Sequence, residues 1–182
     1  MSETTGRMRI VVMGVSGAGK STVALALAAR LGGVYLDADD LHDDAARAKM
    51  AAGVALTDED RAPWLGRVGL AFGTASETGP VVIACSALRR RYRDLIRAEA
   101  TEPIFFAALE LDEATLAKRV AARTDHFMPV SLLASQLETL EPLQPDEWGV
   151  TVSTRDSVPE VVASSFRASS LTWSAASMAP RP

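Results

Sequence analysis

The chain has 182 residues, 48% of them hydrophobic and 23% charged, which fits one globular domain and leaves little room for a second. The formal net charge of -4 argues against broad electrostatic attraction to nucleic acid. The lone cysteine, Cys85, excludes an intramolecular disulfide, and no apolar run approaches the ~20 residues that span a bilayer. Because the opening segment is also polar and lacks a secretion signal, we expect a cytoplasmic protein with neither nucleic acid nor membrane as a partner.

Short β-branched runs alternate along the chain with longer helical patterns, which predicts an α/β fold with a parallel sheet covered by helices. Residues 9–13 are predicted to form a buried first strand, followed by an Ala- and Leu-rich helix over 22–31 that ends at Gly32. Four more strands are predicted at 34–37, 81–85, 104–111 and 150–152. Helices are predicted at 40–52, 58–76, 130–140 and 159–167, with two others after the third and fourth strands and a flexible tail over 168–182.

Residues 14–21 read Gly-Val-Ser-Gly-Ala-Gly-Lys-Ser, a complete GxxxxGKS motif between a predicted strand and a predicted helix. Its glycines let the backbone curl so that N–H groups point at phosphate oxygens, and the helix N-terminus adds its positive end. Lys20 can reach the β- and γ-phosphates, and the Ser21 hydroxyl can ligate Mg²⁺. We therefore expect ATP and Mg²⁺ to bind here. The predicted nucleotide contacts are Gly14, Val15, Ser16, Gly17, Ala18, Gly19, Lys20, Ser21 and Thr22.

Two carboxylates, Asp37 and Asp39, come where the second predicted strand ends. The carboxyl ends of parallel strands face a shared cleft, so both side chains can reach the nucleotide. One can hold the metal or its water shell, and the other can accept a proton from an attacking hydroxyl. The alternative is a solvated acidic turn that caps the next helix through Asp39 or Asp40. The chain has no Asn-Lys-x-Asp sequence of the kind expected in guanine-nucleotide switches, which favours a kinase.

The third strand leads into an arginine-rich segment that begins at Arg89. Arg89 or Arg90 could hold an anionic substrate, because the paired donors of a guanidinium suit a carboxylate. Four of the five arginines between residues 89 and 97 are expected only to face solvent from a helix. Cys85 is interpreted as a small buried residue rather than a nucleophile.

Arg119 and Arg123 lie four residues apart, on one face of the helix that Asp112 is predicted to cap after the fourth strand. They precede a break at 124–127 that is typical of a mobile lid. Such a lid could bring an arginine over the transferring phosphate and exclude water from it. A pair of surface arginines on a helix is the alternative.

Several stretches of the chain resemble the gluconokinases, small P-loop kinases grouped with shikimate kinases and nucleoside monophosphate kinases. The resemblance covers roughly residues 10–163. Its narrowest signatures are Asp60-Arg61-Ala62-Pro63-Trp64-Leu65 and Cys85-Ser86-Ala87-Leu88, since the GxxxxGKS motif is shared by countless proteins. The other matching stretches are Leu36-Asp37-Ala38-Asp39 with His42, Lys49-Met50, Gly53, Leu56, Asp58, Tyr92-Arg93-Asp94, His126-Phe127, and Gln136 with Glu138-Thr139-Leu140.

The resemblance implies a three-layer α/β/α P-loop fold with a five-stranded parallel sheet and a small helical lid at about 123–140, in a kinase domain spanning 1–167. It also implies transfer of the γ-phosphoryl group of ATP to the 6-hydroxyl of D-gluconate, by a protein that is often a homodimer among relatives. Asp39 would be the base, Asp37 part of the metal shell with Ser21, and Arg119 a neighbour of the adenine or phosphates. The implied catalytic residues are Lys20, Asp39 and Arg123, and the implied acceptor contacts are Asp39, His42, Lys49, Arg61, Ser86 and Arg89.

The chain departs from the usual family pattern on the acceptor side and not in the phosphate-binding loop. The family usually has Gly in place of Ala38, Pro in place of Asp43, Asn in place of Ala46, and Pro-Leu-Asn in place of Ala55-Leu56-Thr57. An alanine in place of asparagine removes two donors and an acceptor that a polyol could use. Two alternatives therefore stay open: a kinase of the same fold for another small sugar acid, polyol or shikimate-like acceptor, and a nucleotide-binding regulator without turnover.

Overall fold

The computed structural model describes residues 8–76, 79–121, 130–155 and 157–177. Within these ranges the strands are β1 (Arg9–Met13), β2 (Val34–Asp37), β3 (Val81–Ala84), β4 (Ile104–Glu110) and β5 (Gly149–Ser153). The α-helices are α1 (Lys20–Leu31), α2 (Asp44–Ala51), α3 (Asp58–Ala75), α4 (Arg90–Glu99), α5 (Glu113–Ala121), α6 (Val130–Thr139) and α7 (Val158–Ser177). A 3-10 helix, Ala38–Leu41, directly follows β2.

The strands form one parallel sheet in the order β2-β3-β1-β4-β5, which confirms the predicted five-stranded α/β fold. β1 lies at the centre, where Arg9 is level with Val81 on one side and Ile104 on the other. Every residue of β1 is buried, as expected of a strand covered on both faces. Because all strands run in the same direction, the loops that follow β1, β2 and β3 face one cleft at their carboxyl edge.

Helices cover both faces of the sheet, which confirms the three-layer architecture. Successive residues of β1 enter different cores: Val12 packs with Leu27 of α1, and Val11 packs with Phe72 of α3. α3 approaches α4 closely at Gly69, where a Cβ would overlap the carbonyl oxygen of Ile96. This tight pairing keeps α3 and α4 together beside the acceptor side of the cleft.

The predicted helix over residues 40–52 is interrupted. A 3-10 helix ends at Leu41, and α2 begins only at Asp44. The reason is local capping, since the Asp43 side chain accepts a hydrogen bond from the Ala46 N–H at 2.8 Å and starts a new helix. The predicted cap at Asp112 is confirmed in the same way, by its 2.9 Å bond from the Thr115 N–H.

The last helix is longer than predicted. It continues past Arg167 to Ser177, so residues 168–177, predicted to be flexible, are helical, while residues 178–182 lie outside the described ranges. Ser165 and Ser169 are fully buried, and their hydroxyls donate to the carbonyls of Val161 and Phe166. Bonding back to the preceding turn lets serine remain inside a packed helix. Neither α7 nor any other helix in the described ranges is long and apolar enough to cross a membrane.

Candidate active site

The loop between β1 and α1 is built for close approach by phosphate. Gly14, Gly17 and Gly19 have φ values of 145°, 82° and 93°, in the left-handed region that glycine adopts most easily. A Cβ at Gly14 would also lie 2.9 Å from the Leu109 carbonyl oxygen. Between the glycines, Val15 and Ala18 are buried in the core, so the loop is anchored while its amides curl. The sequence motif therefore has the backbone shape expected of a phosphate cradle.

Lys20 and Ser21 open helix α1 at the end of this loop. The Lys20 Nζ donates to the Val15 carbonyl at 3.1 Å, which folds the side chain back over the loop. Ser21 and Thr22 follow on the exposed side of the first turn. The Ser21 hydroxyl donates to the Asp37 carboxylate at 3.1 Å. This contact brings the end of β2 next to the phosphate-binding loop, as the sequence predicts.

Asp37 is held from three directions. Besides the Ser21 bond, Oδ2 accepts the Tyr35 hydroxyl at 3.0 Å and Oδ1 accepts the Asp39 N–H at 3.1 Å. Burial and the nearby Asp37 carboxylate raise the pKa of Tyr35, which keeps its hydroxyl protonated as a donor. A hydroxyl and a carboxylate side by side are the hard oxygen ligands that Mg²⁺ prefers, so Ser21 and Asp37 fit the predicted metal shell.

Asp39 lies on the 3-10 helix with an exposed side chain, two residues beyond Asp37. Its own backbone is fixed, because its N–H bonds to Asp37 and its carbonyl accepts the His42 N–H at 3.3 Å. The alternative, a turn that caps the next helix through Asp39 or Asp40, is wrong, because Asp37 caps the 3-10 helix and Asp43 caps α2. The Asp39 carboxylate is not used as either cap, so it is available for chemistry.

A cluster of three arginines surrounds a single carboxylate, Asp58, at the start of α3. Arg61 approaches Asp58 to 3.8 Å and Arg89 to 3.4 Å, and both Arg91 and the Tyr92 hydroxyl also contact it. All three guanidinium groups lie within 6 Å of the Tyr92 ring, at 5.7, 5.8 and 5.5 Å. One carboxylate leaves positive charge in excess, so the cluster is suited to an anionic group.

His42 and Lys49 have structural partners of their own. His42 is only 7% exposed and stacks on Trp64, with ring centroids 4.2 Å apart. Burial lowers the pKa of His42, so the ring is neutral near pH 7. Its Nδ1 has no hydrogen-bond partner among the residues that the structure describes. Lys49 bonds both oxygens of Asp60 at 2.6 and 2.9 Å. Lys49 therefore reaches an acceptor only by sharing or leaving Asp60.

The predicted site residues not yet described are Ser86, after β3, and Arg119 and Arg123, in the part of the chain that follows β4. The Ser86 carbonyl accepts the Gly14 N–H at 3.3 Å, so the loop after β3 touches the phosphate cradle directly. Arg119 is exposed on α5, and its Nη2 donates to the Thr154 carbonyl after β5 at 3.3 Å. Arg123 and His126 lie outside the described residues, as does the first part of the predicted lid.

Sequence reasoning gave Gln136 no role, although it belongs to one of the matching stretches. Its Oε1 accepts the Ser16 N–H at 2.7 Å, across 120 positions of sequence. Helix α6, in the second half of the predicted lid, thus contacts the phosphate-binding loop. The spacing of residues along α6 carries no signal for this contact, because it depends on how two distant segments fold together.

The prediction that four of the five arginines on and before α4 only face solvent is wrong for Arg93. Arg93 is fully buried and pairs with Glu147, whose side chain is also 0% exposed, at 2.6 Å. Although burial raises the pKa of Glu147, hydrogen bonds from Arg93 and Arg97 outweigh it and lower this pKa to about 2. Arg93 also donates to the carbonyl of Ala87, which has a φ of 42°. It therefore braces the loop that carries Ser86 and Arg89.

The departures from the family pattern have local explanations. Ala38 is buried and lacks a positive φ, so its backbone does not require glycine. Asp43 caps α2, and Ala46, whose N–H it binds, is buried. Thr57 caps α3 in a reciprocal pair with Asp60, a capping box.

Cys85 is 2% exposed, which confirms the predicted small buried residue. Burial also raises the pKa of its thiol to about 12, so the thiol is not a reactive nucleophile.

A parallel sheet with a phosphate-binding loop after its central strand, and an acidic turn beside that loop, defines a P-loop kinase of small molecules. A family model described as an AAA domain matches residues 10–143. The chain is 46% identical to a gluconokinase of Gluconobacter oxydans over 154 residues, which cover 84% of this chain and 85% of that one. It is 43% identical to the thermosensitive gluconokinase of Escherichia coli, with 75% and 73% of the two chains covered.

Solved structures agree with these relatives. The crystal structure of a gluconokinase from Sinorhizobium meliloti superposes with a TM-score of 0.83 at 40% identity, covering 93% of this chain and 95% of that chain. The APS kinase CysC of Mycobacterium tuberculosis, at 22% identity and a TM-score of 0.58, shares the fold alone. This protein belongs to the gluconokinase family.

Proposed function

We propose that this protein transfers the γ-phosphoryl group of ATP to the 6-hydroxyl of D-gluconate, giving ADP and 6-phospho-D-gluconate. The observation that carries the proposal is the 3.1 Å bond between Ser21 and Asp37, which joins the acidic turn to the phosphate-binding loop. It supports a single site in which a nucleotide and an acceptor hydroxyl meet. The relatives named gluconokinase support gluconate as that acceptor.

The nucleotide side supplies charge stabilisation. The loop amides of residues 14–19 and the Lys20 ammonium are proposed to surround the phosphates, and Arg119 to lie beside the adenine or phosphates, with Arg123 nearer the transferred group. Ser21 and Asp37 are proposed to hold Mg²⁺, which when bound neutralises charge on the β- and γ-phosphates. These groups would stabilise the charge that moves onto the leaving ADP oxygen as its bond to phosphorus breaks.

The acceptor side orients and deprotonates the hydroxyl. Asp39 is proposed as the base that takes the proton as the oxygen–phosphorus bond forms. Arg61 and Arg89 are proposed to bind the carboxylate of the acid in competition with Asp58, with His42, Lys49 and Ser86 nearer its hydroxyls. The charge excess around Asp58 supports an anionic acceptor over a neutral polyol.

The test is an ADP-release assay on a substrate panel. We expect turnover with gluconate and little with shikimate, neutral polyols or nucleoside monophosphates. Asp39→Asn should lower kcat by orders of magnitude while ATP binding, measured by calorimetry, is retained. A preference for another sugar acid would reassign the acceptor. No ADP release by the wild type with any acceptor, while ATP still binds, would favour the nucleotide-binding regulator.

The predicted boundary of the kinase domain at residue 167 falls within α7, which continues to Ser177. We propose that the kinase domain, predicted over residues 1–167, includes the rest of this helix, that it carries a lid at about 123–140, and that the protein works in the cytoplasm. A homodimer, predicted from the family resemblance, stays a prediction. Light scattering of the purified protein decides it, since a monomeric mass across the working concentration range would contradict the dimer.

A further inference from the structure

Hydrogen bonds hold the backbone of the turn that carries Asp39 along its whole length. Each of the five carbonyl groups from residue 38 to residue 42 accepts a hydrogen bond. The donors are Trp64 Nε1 to Ala38 at 2.7 Å, the His42 N–H to Asp39 at 3.3 Å, Arg47 Nη2 to Asp40 at 2.8 Å, Arg67 Nε to Leu41 at 2.8 Å, and Arg47 Nε to His42 at 2.9 Å.

Four of these five bonds come from side chains of the two helices that follow the turn. Trp64 and Arg67 lie one turn apart on α3, and Arg47 lies on α2. Trp64 is 4% exposed and also stacks on His42, with an angle of 14° between the rings. Arg67 reaches the Asp43 carboxylate at 3.1 Å as well. The helices therefore hold the turn at both ends and in the middle.

Such bracing has a chemical consequence if the turn carries a reacting group. A short 3-10 helix has poor internal hydrogen-bond geometry and would otherwise adjust easily. A base must lie within hydrogen-bond reach of its proton in the reacting geometry, and an error of ~1 Å can cost ~100-fold in rate. External donors to the turn's carbonyls fix its backbone without occupying the carboxylate of Asp39.

We propose that Trp64 and Arg67 are positioning residues for phosphoryl transfer, which act by holding the 38–42 turn so that Asp39 faces the acceptor hydroxyl. This inference rests on the role proposed above for Asp39. It gives Trp64, in the narrowest family signature, a task other than core packing. It adds Arg67, which no sequence motif singles out.

Two substitutions remove the donors while keeping most of the packing. Trp64→Phe keeps a ring against His42 and loses the indole N–H, and Arg67→Met keeps the aliphatic stem. We expect each to lower kcat by roughly 10- to 100-fold, with the dissociation constant for an ATP analogue changing by less than about 2-fold. The matched controls are Trp148→Phe and Arg30→Met. In the wild type the Trp148 ring packs against Phe105, and the Arg30 guanidinium lies over the Phe166 ring. Both controls should keep wild-type kcat.

A cycle with Asp39→Asn separates positioning from general stability. If Trp64 and Arg67 act through Asp39, adding either substitution to Asp39→Asn should cause less than about 2-fold further loss, since the base is already gone. A full additional loss in that background would overturn the inference. Folded Trp64→Phe and Arg67→Met variants with wild-type kcat would also overturn it.

The outcomes distinguish this inference from the function on which it rests. Full activity of Asp39→Asn would remove the proposed base and with it the proposed mechanism. Loss of activity in Asp39→Asn, together with normal kcat in both positioning variants, would remove only the inference. If Trp64→Phe failed to fold, Arg67→Met would decide alone, because Arg67 is partly exposed and 37% of its side chain surface remains in solvent.

Discussion

The two sides of the cleft are built in different ways. The nucleotide side is a run of consecutive residues whose backbone provides the binding groups, with glycines at φ values that side chains rarely tolerate. The acceptor side is assembled from the turn after β2, the start of α3 and the start of α4, and side chains make most of its contacts, either to other side chains or to backbone carbonyls. A binding site made of consecutive backbone groups can be recognised in a sequence, whereas a site made of side chains that are distant in sequence can be identified only from the tertiary structure.

The difference extends to what holds each side in place. The phosphate-binding loop is anchored mainly by its own buried residues, Val15 and Ala18, and by α1, which directly follows it. Two distant residues, Ser86 and Gln136, add one hydrogen bond each. The acceptor loop after β3 depends on Arg93, which reaches residues about 50 positions away. We therefore expect substitutions on the acceptor side to affect folding and catalysis together, and those on the nucleotide side to affect catalysis more cleanly.

The largest expected effect comes from removing Arg93. Arg93→Met leaves Glu147 buried without its main partner and should lower the free energy of unfolding by roughly 3–5 kcal/mol. The measurement is urea denaturation at pH 7. Arg90→Met is the matched control on the same helix, because Arg90 also pairs with an acid, Asp146, but at the surface. Equal losses in both variants would contradict the importance of burial.

The next effect concerns the nucleotide side. Lys20→Met should lower kcat by roughly 100- to 1000-fold, because the charge on the transferring phosphate loses a stabilising partner. The free energy of unfolding should change little. Lys118→Met, which removes an exposed lysine from α5, is the control and should leave the steady-state rate unchanged. A large loss of stability in Lys20→Met would show that the two sides are less distinct than proposed.

A smaller effect is expected at the arginine cluster. Arg61→Met should raise KM for gluconate by roughly 10- to 100-fold, as expected when a charged hydrogen bond is lost, while KM for ATP stays near wild type. The exposed Arg167 on α7 provides the control, Arg167→Met. If KM for ATP rises as much as KM for gluconate, the cluster does not serve the acceptor alone.

The mildest test uses pH. The pKa of Glu147 in the folded protein is about 2, below its ordinary value of 4.5. Its ionised form therefore contributes stability fully above about pH 4.5, and this contribution is lost as pH falls towards 2. Urea midpoints at pH 7, 4 and 3 should fall steadily for the wild type and less steeply for Glu147→Gln. Parallel slopes would mean that other carboxylates dominate acid unfolding.

Much of the fold follows from patterns within short windows. The bounds of β1 and β2 were predicted to the residue, and the cap at Asp112 was predicted from its place after the fourth strand. The continuation of α7 past Arg167 was not predicted, because burial of Ser169 and its bond to the preceding turn favour helix there. Burial of this kind depends on α1 packing against α7, which local composition does not encode.

In the candidate site, too, the features that are local in sequence were predicted and those that depend on tertiary contacts were not. The GxxxxGKS motif and its position after a strand determined a phosphate-binding loop, because glycine conformations and helix ends are local properties of the chain. The tertiary structure alone decided that Arg93 is buried, that Gln136 meets Ser16, and that Trp64 and Arg67 brace the turn beneath Asp39. Those contacts join segments far apart in sequence, and their energies depend on burial and distance that arise only when the sheet brings the segments together.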